Sequence, residues 1–288
     1  MEPVAPARTQ SDMSEFNRSR LIRLICARGV CSRADLARDM GLTPAAITKI
    51  TAKLIDLGVI SETGDLEGRK SRRSIGLKVN ASRYKVIGVK FARSLIEIGV
   101  FDISGECYHR QALPTATNDH PREAIEAVKD TVHQLLNDAE GQIIAVGIAV
   151  PGPYMRHEGV IGVMTRMPAW RDINFIDEFS HEFGVPAFVD HDARAAVLAE
   201  RLFSAGYSGD SLAYYLIGEG GGLGVLDHGL LIDGAQGAAT EIGHISIDVN
   251  GRPCECGNIG CLERYCCAGR STPRSSPSTR GSSTASPT

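Results

Sequence analysis

No apolar run in this 288-residue chain approaches the roughly 18 residues a helix needs to cross a bilayer, which excludes a helical membrane span. The opening residues, MEPVAPARTQSDMSEF, hold no apolar stretch of the signal-peptide kind. These two absences predict a soluble cytoplasmic protein with no membrane partner. Net charge is also scarce, at −3, but the balance is local. Residues 18–90 carry 16 Lys/Arg against 6 Asp/Glu, whereas residues 91–265 carry 11 against 25. A basic front and an acidic body imply a nucleic-acid-binding module joined to something else, although a solvated charged face would also give such a count.

A third absence lies at the far end. Residues 266–288, CCAGRSTPRSSPSTRGSSTASPT, contain no aliphatic side chain larger than Ala, and 16 of the 23 are Ser, Thr, Pro or Gly. Such a segment cannot bury a core face, so the composition predicts disorder there, as it does for residues 1–13. A frameshift or truncated gene and a natural linker-like tail both account for the abrupt change.

What is present begins with eight cysteines. Without a secretory leader they argue for reduced thiols or metal ligands rather than disulfides. Cys254, Cys256 and Cys261 cluster, whereas Cys26, Cys31 and Cys107 are scattered and read as buried thiols.

The amino-terminal pattern predicts a helix over 14–28, with Phe16, Leu21, Leu24 and Ile25 on one face. Ser32 caps a short second helix with Asp35 at the capping-box position, and Gly41 makes a turn. Thr43 caps a third helix with Pro44 at its first position, where a missing N–H costs nothing. Ile47, Ile50, Leu54 and Leu57 then face the core. This order of elements matches a helix-turn-helix, whose last helix lies in the DNA major groove. Thr43, Ala45, Thr48, Lys49 and Lys53 are its candidate DNA contacts. Two strands follow around a loop with Arg69, Lys70, Arg72 and Arg73, a basic wing for the phosphate backbone or minor groove. A packing module such as a dimerisation bundle would share the three-helix pattern. Residues 14–80 are thus predicted to be a winged helix-turn-helix.

Beyond it, residues 84–105 read as a hairpin and 123–137 as an amphipathic helix with Ile125, Val128, Val132 and Leu135 inward. IIAVGIAVPGP reads as a buried strand, PAFVDHDARAAVLAERLF as strand, acidic loop and helix, and SLAYYLIGEGGGLGVLDHG as strand, glycine turn and strand. This alternation describes an α/β protein with ligands at the strand ends.

From VIGV at 86 to LERY at 265, and above all in GIAVPGP, DHDARAAVLAE, GEGGGLGVLDHGLLIDGAQGAATEIGH and CECGNIGCLE, the chain resembles the ROK family of repressors and sugar kinases. The resemblance implies an actin-like ATPase fold over residues 84–265, shortened at the carboxyl end because family members continue with further helices past C-L-E-x-Y. His244, Cys254, Cys256 and Cys261 give H-x9-C-x-C-x4-C, a closed tetrahedral set for structural Zn2+ that leaves no open catalytic position. The ion would tie a GHISIDVN strand to the CECGNIGC loop. The resemblance further implies a sugar site at His191, Asp192, Glu241, His244 and Glu263, with His191 where the family has Asn, and Ala239-Thr240-Glu241 where it has Ala-Gly-Glu. Carboxylates suit neighbouring hydroxyls because each accepts two hydrogen bonds.

Asp192 matches the family's catalytic base, yet both phosphate loops are altered. Asp-x-Gly-Gly-Thr becomes Lys90, Phe91, Ala92, Arg93, Ser94, and Gly-Thr-Gly becomes Gly218, Glu219, Gly220. Lys replaces an acid that helps hold magnesium, and a carboxylate at 219 repels phosphate. Phosphoryl transfer depends on positioning and charge neutralisation, so these losses predict no catalysis and leave Asp192 vestigial. The sequence therefore points to a sugar-responsive repressor, a homodimer or dimer of dimers on a double-stranded DNA operator, with a small sugar or sugar derivative as effector. A sugar kinase and a non-functional shortened family member are the competing readings.

Overall fold

A computed structural model describes residues 10–65, 75–92, 95–114, 120–162, 168–204, 209, 211–235 and 237–267. The amino-terminal elements are α1 (Gln10–Arg28), β1 (Cys31–Ser32), α2 (Arg33–Met40), α3 (Pro44–Asp56), β2 (Ile60–Asp65) and β3 (Ile75–Val79). The capping box forms as its residues dictate: the Asp35 N–H donates to Ser32 Oγ at 3.1 Å, and the Ser32 N–H to Asp35 Oδ2 at 3.3 Å. Gly41, at φ 65°, ends α2, and the Ala46 N–H donates to Thr43 Oγ1 at 3.2 Å to start α3. Leu21, Ile25, Leu36, Met40, Ile47, Leu54, Ile60 and Leu77 form one core beneath a three-stranded sheet of order β1-β3-β2.

Several sequence expectations need correction here. Helix α1 begins at Gln10, four residues before the predicted start. Phe16 and Leu57 are each 43% exposed, and Thr51 is fully buried instead. At about 100° per residue, Phe16 lies on the far side of α1 from Leu21 and Ile25. Leu57 falls about 80° from Ile47, whereas Thr51 falls within about 40° of it, on the side away from Leu54 and Leu57. Thr51 can occupy the core because its hydroxyl donates to Thr48 O and accepts from Arg33 Nε. Cys107 is exposed and Cys26 half-buried, so of the three scattered thiols only Cys31 is buried as predicted. The wing residues Arg69, Lys70, Arg72 and Arg73 lie outside the described residues, as do 1–9 and 268–288.

The body begins with β4 (Tyr84–Phe91), β5 (Leu95–Asp102), β6 (Cys107–Pro114), α4 (Pro121–Asp138) and β7 (Gln142–Val150). Next come the short strands β8 (Tyr154–Met155) and β9 (Val160–Ile161), then α5 (Phe175–Phe179), β10 (Ala187–His191) and α6 (Asp192–Phe203). The final elements are β11 (Leu212–Ile217), β12 (Gly221–Asp227), β13 (Leu230–Leu231) and α7 (Glu263–Cys266). Cys266 thus closes a helix, whereas the sequence expectation placed it at the start of a disordered tail. The main sheet has the order β10-β7-β4-β5-β6, with β10, β7 and β4 parallel. Period-two alternation sends Ile87, Val89 and Phe91 inward, where they meet Ile125, Val128 and Val132 of α4 and the rings of Trp170, Phe175 and Phe179. The Phe91 ring meets those of Trp170 and Phe175 edge-on, at 5.6 and 5.4 Å between centroids.

Strand β7 is not buried throughout, since Ile144 is 38% exposed. The GHISIDVN segment is not a strand: a single helical turn, Ile242–His244, leads into extended chain joined to the cysteine loop by one bridge, Ser246 to Cys261.

Candidate functional site

Three parallel strands end on one edge of the sheet, and their carboxyl ends deliver Lys90, Pro151 and His191 to a common cavity of about 220 Å3. The β11–β12 turn adds Gly218, Glu219 and Gly220, while the later segments add Glu241, His244 and Glu263. All five predicted sugar-site residues, His191, Asp192, Glu241, His244 and Glu263, therefore line one space. Lys90, Ala92 and Glu219, from the two altered phosphate loops, face the same space. Phe91 instead turns into the core, and Arg93 and Ser94 lie outside the described residues.

No loop separates β10 from α6, contrary to the sequence expectation. His191 ends the strand and Asp192 is the first helical residue, where the partial positive charge of a helix start favours a carboxylate. His191 Nε2 stands 3.1 Å from Asp192 Oδ1. Burial alone would pull the buried imidazole down, but the Asp192 hydrogen bond, with Asp192, Glu241 and Asp190 nearby, raises it above its ordinary value. Burial also pushes the Glu241 carboxyl up, partly offset by His191 and His244. Among the described residues, Glu241 Oε1 is buried without any hydrogen-bond partner. An unpaired buried oxygen facing a cavity is what a hydroxyl donor from a ligand would satisfy.

Two contributors, Gly152 and Arg194, escaped the sequence reading, and a third, Thr240, was noticed there only as a substitution. Gly152 has no room for a side chain, because a Cβ there would sit 2.4 Å from His191 Nε2 and 3.1 Å from Glu241 Oε1. Arg194, in the first turn of α6, is 2% exposed. Its Nε donates to Asp190 Oδ1 at 2.8 Å, Nη1 to Ile232 O at 3.0 Å, and Nη2 pairs with Asp233 at 2.5 Å. Asp190 Oδ1 also accepts the His191 N–H at 2.8 Å, so one buried cation fixes the backbone that presents His191 and Asp192. A charge four residues after Asp190, within the otherwise apolar ARAAV run, was the available signal. Thr240 sits at φ 72°, a left-handed conformation that favours glycine, and its hydroxyl donates to Leu223 O. That is the position where the family resemblance implies glycine.

The four predicted metal ligands converge as well. One donor atom from each of His244, Cys254, Cys256 and Cys261 lies within 4.8 Å of every other. Cys256 Sγ and Cys261 Sγ are 3.7 Å apart, and Cys254 Sγ is 3.8 Å from His244 Nδ1. A tetrahedral ion with Zn–S bonds near 2.3 Å requires sulfur separations of about 3.8 Å, so these residues fit the ion. Burial pushes the Cys254 thiol up to about 12 in the metal-free protein, and a divalent cation at the centre reverses that preference. The loop closes tightly around the site. Cys254 N–H donates to Asn258 O, Asn258 Nδ2 to His244 O, and a Cβ on Gly260 would collide with Asp248 O at 1.9 Å.

At the other end of the molecule, Thr43, Ala45, Thr48, Lys49 and Lys53 are all exposed along α3. Ala45, Lys49 and Lys53 thus share one open face of α3, with Thr48 on one flank and the cap residue Thr43 on the other. Ala52 is exposed there as well and was not among the candidates.

Comparison with known proteins gives a consistent set of likenesses. The model of the ROK family matches residues 86–280. The DNA-binding transcriptional dual regulator NagC of Escherichia coli is 29% identical over 255 residues, covering 87% of this chain. The chain spans 62% of NagC's length. Among solved structures, a ROK family transcriptional regulator, a homolog of the E. coli MLC protein, is 30% identical with a TM-score of 0.70. That likeness covers 88% of this chain and 65% of the other. A ROK family glucokinase from Streptomyces griseus, solved with glucose and AMPPNP, is 28% identical with a TM-score of 0.57, covering 64% and 57% of the two chains.

Proposed function

The chain belongs to the ROK family, and from that membership we propose that it is a sugar-responsive transcriptional repressor of carbohydrate-metabolism genes. In this reading residues 14–80 form a winged helix-turn-helix, with α3 as the recognition helix in the major groove. Residues 84–265 form an actin-like sensor body, and a homodimer places two recognition helices on an inverted-repeat operator. Structural Zn2+ at His244, Cys254, Cys256 and Cys261 would hold the segment that carries Glu241 and Glu263, with His244 joining metal site and cavity.

The observation that carries the reading is the cavity. Asp192, Glu241, Glu263 and His191 surround a space suited to a small polyol, while Lys90 and Glu219 occupy the family's phosphate-loop positions. A carboxylate at 219 repels a nucleotide phosphate, so a ligand is retained without being phosphorylated. The likeness to NagC and to the MLC homolog supports regulation over catalysis.

Helix α6 supplies a route between the two ends. Its first residue, Asp192, lies in the cavity, and its body packs against α1 as well as β11 and β12. Twelve helical residues span about 18 Å, so a tilt imposed on α6 by the sugar reaches α1 directly. Such a switch works only through different affinities of the sugar for the two states.

The test uses the full chain with duplexes recovered from a random library, titrated with hexoses, pentoses and amino sugars. At least one sugar is expected to shift DNA affinity. The competing reading, a sugar kinase, is favoured by Asp192 in the cavity and by the glucokinase likeness. ATP-dependent phosphorylation of any of those sugars, together with indifference to duplex DNA at modest ionic strength, would replace the repressor reading.

A further inference from the structure

The exposed face of α3 has an unusual chemical poverty. Its sequence, PAAITKITAKLID, contains no Arg, Asn or Gln. Arg or Lys paired with guanine and Asn or Gln paired with adenine are the side chains that make two-point contacts with purine edges, so this helix has no device for adenine and only lysine for guanine. About 100° per residue sets Ala45, Lys49 and Ala52 along the centre of the exposed surface, with Thr48 on one flank and Lys53 on the other.

The two hydroxyls do not change this picture. Thr48 Oγ1 donates its proton to Pro44 O at 2.9 Å, one turn back in the same helix. Thr43 Oγ1 accepts the Ala46 N–H as the helix cap. Both are engaged within the helix, and what Thr48 presents outward is mainly its methyl group. Asp56 ends the central stripe with a negative charge, which phosphates repel, so base reading is confined to the part of the stripe ahead of it, Ala45 to Ala52. There the face offers methyl groups from Ala45, Thr48 and Ala52 around one ammonium, Lys49.

We propose that α3 reads its operator half-site through thymine 5-methyl groups packed against Ala45, Thr48 and Ala52, with Lys49 donating to the O6 and N7 acceptors of a single guanine. Lys53, one turn further along, contacts phosphate and carries no sequence information. The inference rests on the DNA-binding reading above and adds the base chemistry that the operator must supply.

In vitro selection from random duplexes with the full chain tests it. The enriched half-site is expected to contain thymines flanking one guanine. Replacing those thymines by deoxyuridine removes only the methyl groups and should weaken binding about fourfold for each, from the burial of one methyl. Lys49→Ala should erase the preference at the guanine column, whereas Lys53→Ala should weaken every duplex alike. Both lysines are exposed, so these variants keep the fold. Equal affinity for thymine and deoxyuridine duplexes, or a selected site without the guanine, overturns the inference while leaving DNA binding intact. Failure to retain any duplex at modest ionic strength overturns both together.

Discussion

Replacing Arg194 by Met tests the buried cross-link on which the cavity's geometry depends. The guanidinium is 2% exposed, and its partners Asp190 and Asp233 are 24% and 46% exposed. Removing one member of a buried ion pair costs about 3–5 kcal/mol, because the remaining charge is left without compensation. Solvent at both carboxylates screens part of that loss, and Met refills most of the volume, so the lower end, about 3 kcal/mol, applies. For a chain of this size the change corresponds to a fall in Tm of about 6–12 °C. Thermal unfolding followed by circular dichroism reads it directly. Because Asp190 Oδ1 also accepts the His191 N–H, the variant should lose sugar-induced stabilisation as well. Adding Asp190→Asn to Arg194→Met should recover part of the stability, since the uncompensated carboxylate is then gone. A fall in Tm below about 2 °C with sugar response intact would refute the reasoning.

Three other perturbations follow from the same geometry. Gly152→Ala puts a Cβ 2.4 Å from His191 Nε2, so the ring must move, and sugar-induced thermal shift should vanish while DNA affinity without sugar is retained. Cys256→Ser, or a strong chelator, should remove about one zinc per chain and loosen the segment containing Glu241 and Glu263, measurable by metal analysis together with proteolysis after Arg252. Finally, the raised values of His191 and Glu241 mean that each holds its proton more tightly in the folded than in the unfolded chain, so each contributes a stability that is lost as pH rises. Glu241 contributes to the fall from about pH 4.3 upward and His191 from about pH 6.5 upward. Urea unfolding of His191→Asn should show the upper part of that contribution abolished, and of Glu241→Gln the lower part; a variant whose pH profile runs parallel to the parent's would contradict its assignment.

Much of the fold was legible because it follows from local chemistry. The Ser32–Asp35 capping box, the Thr43–Pro44 helix start and the Gly41 turn are short-range arrangements, and each formed where its residues called for it. The metal set was legible for a related reason: three cysteines within eight residues cannot stray far from one another, and His244 needed only one turn to reach them. The hairpin read over 84–105 also formed, but the inward turn of Phe91 was missed, because its place in a phosphate-loop motif masked the period-two alternation it shares with Ile87 and Val89.

Other features depended on which surfaces came together in space. Whether Leu57 or Thr51 entered the core was decided by the direction in which α3 faced α2, because both lie near the edge of the same helical stripe. The removal of any loop between His191 and Asp192 came from β10 pairing with β7 up to its last residue. The role of Arg194 required Asp233, 39 positions away in sequence, to arrive beside Asp190. The crowding at Gly152 likewise depends on His191 and Glu241 reaching one point from separate segments. Sequence alone determined which residue types were available as caps, ligands and hydroxyl acceptors, since those are properties of side chains and short spacings. Tertiary structure decided which of them share a cavity, because burial and long-range charge pairing exist only after the segments have packed.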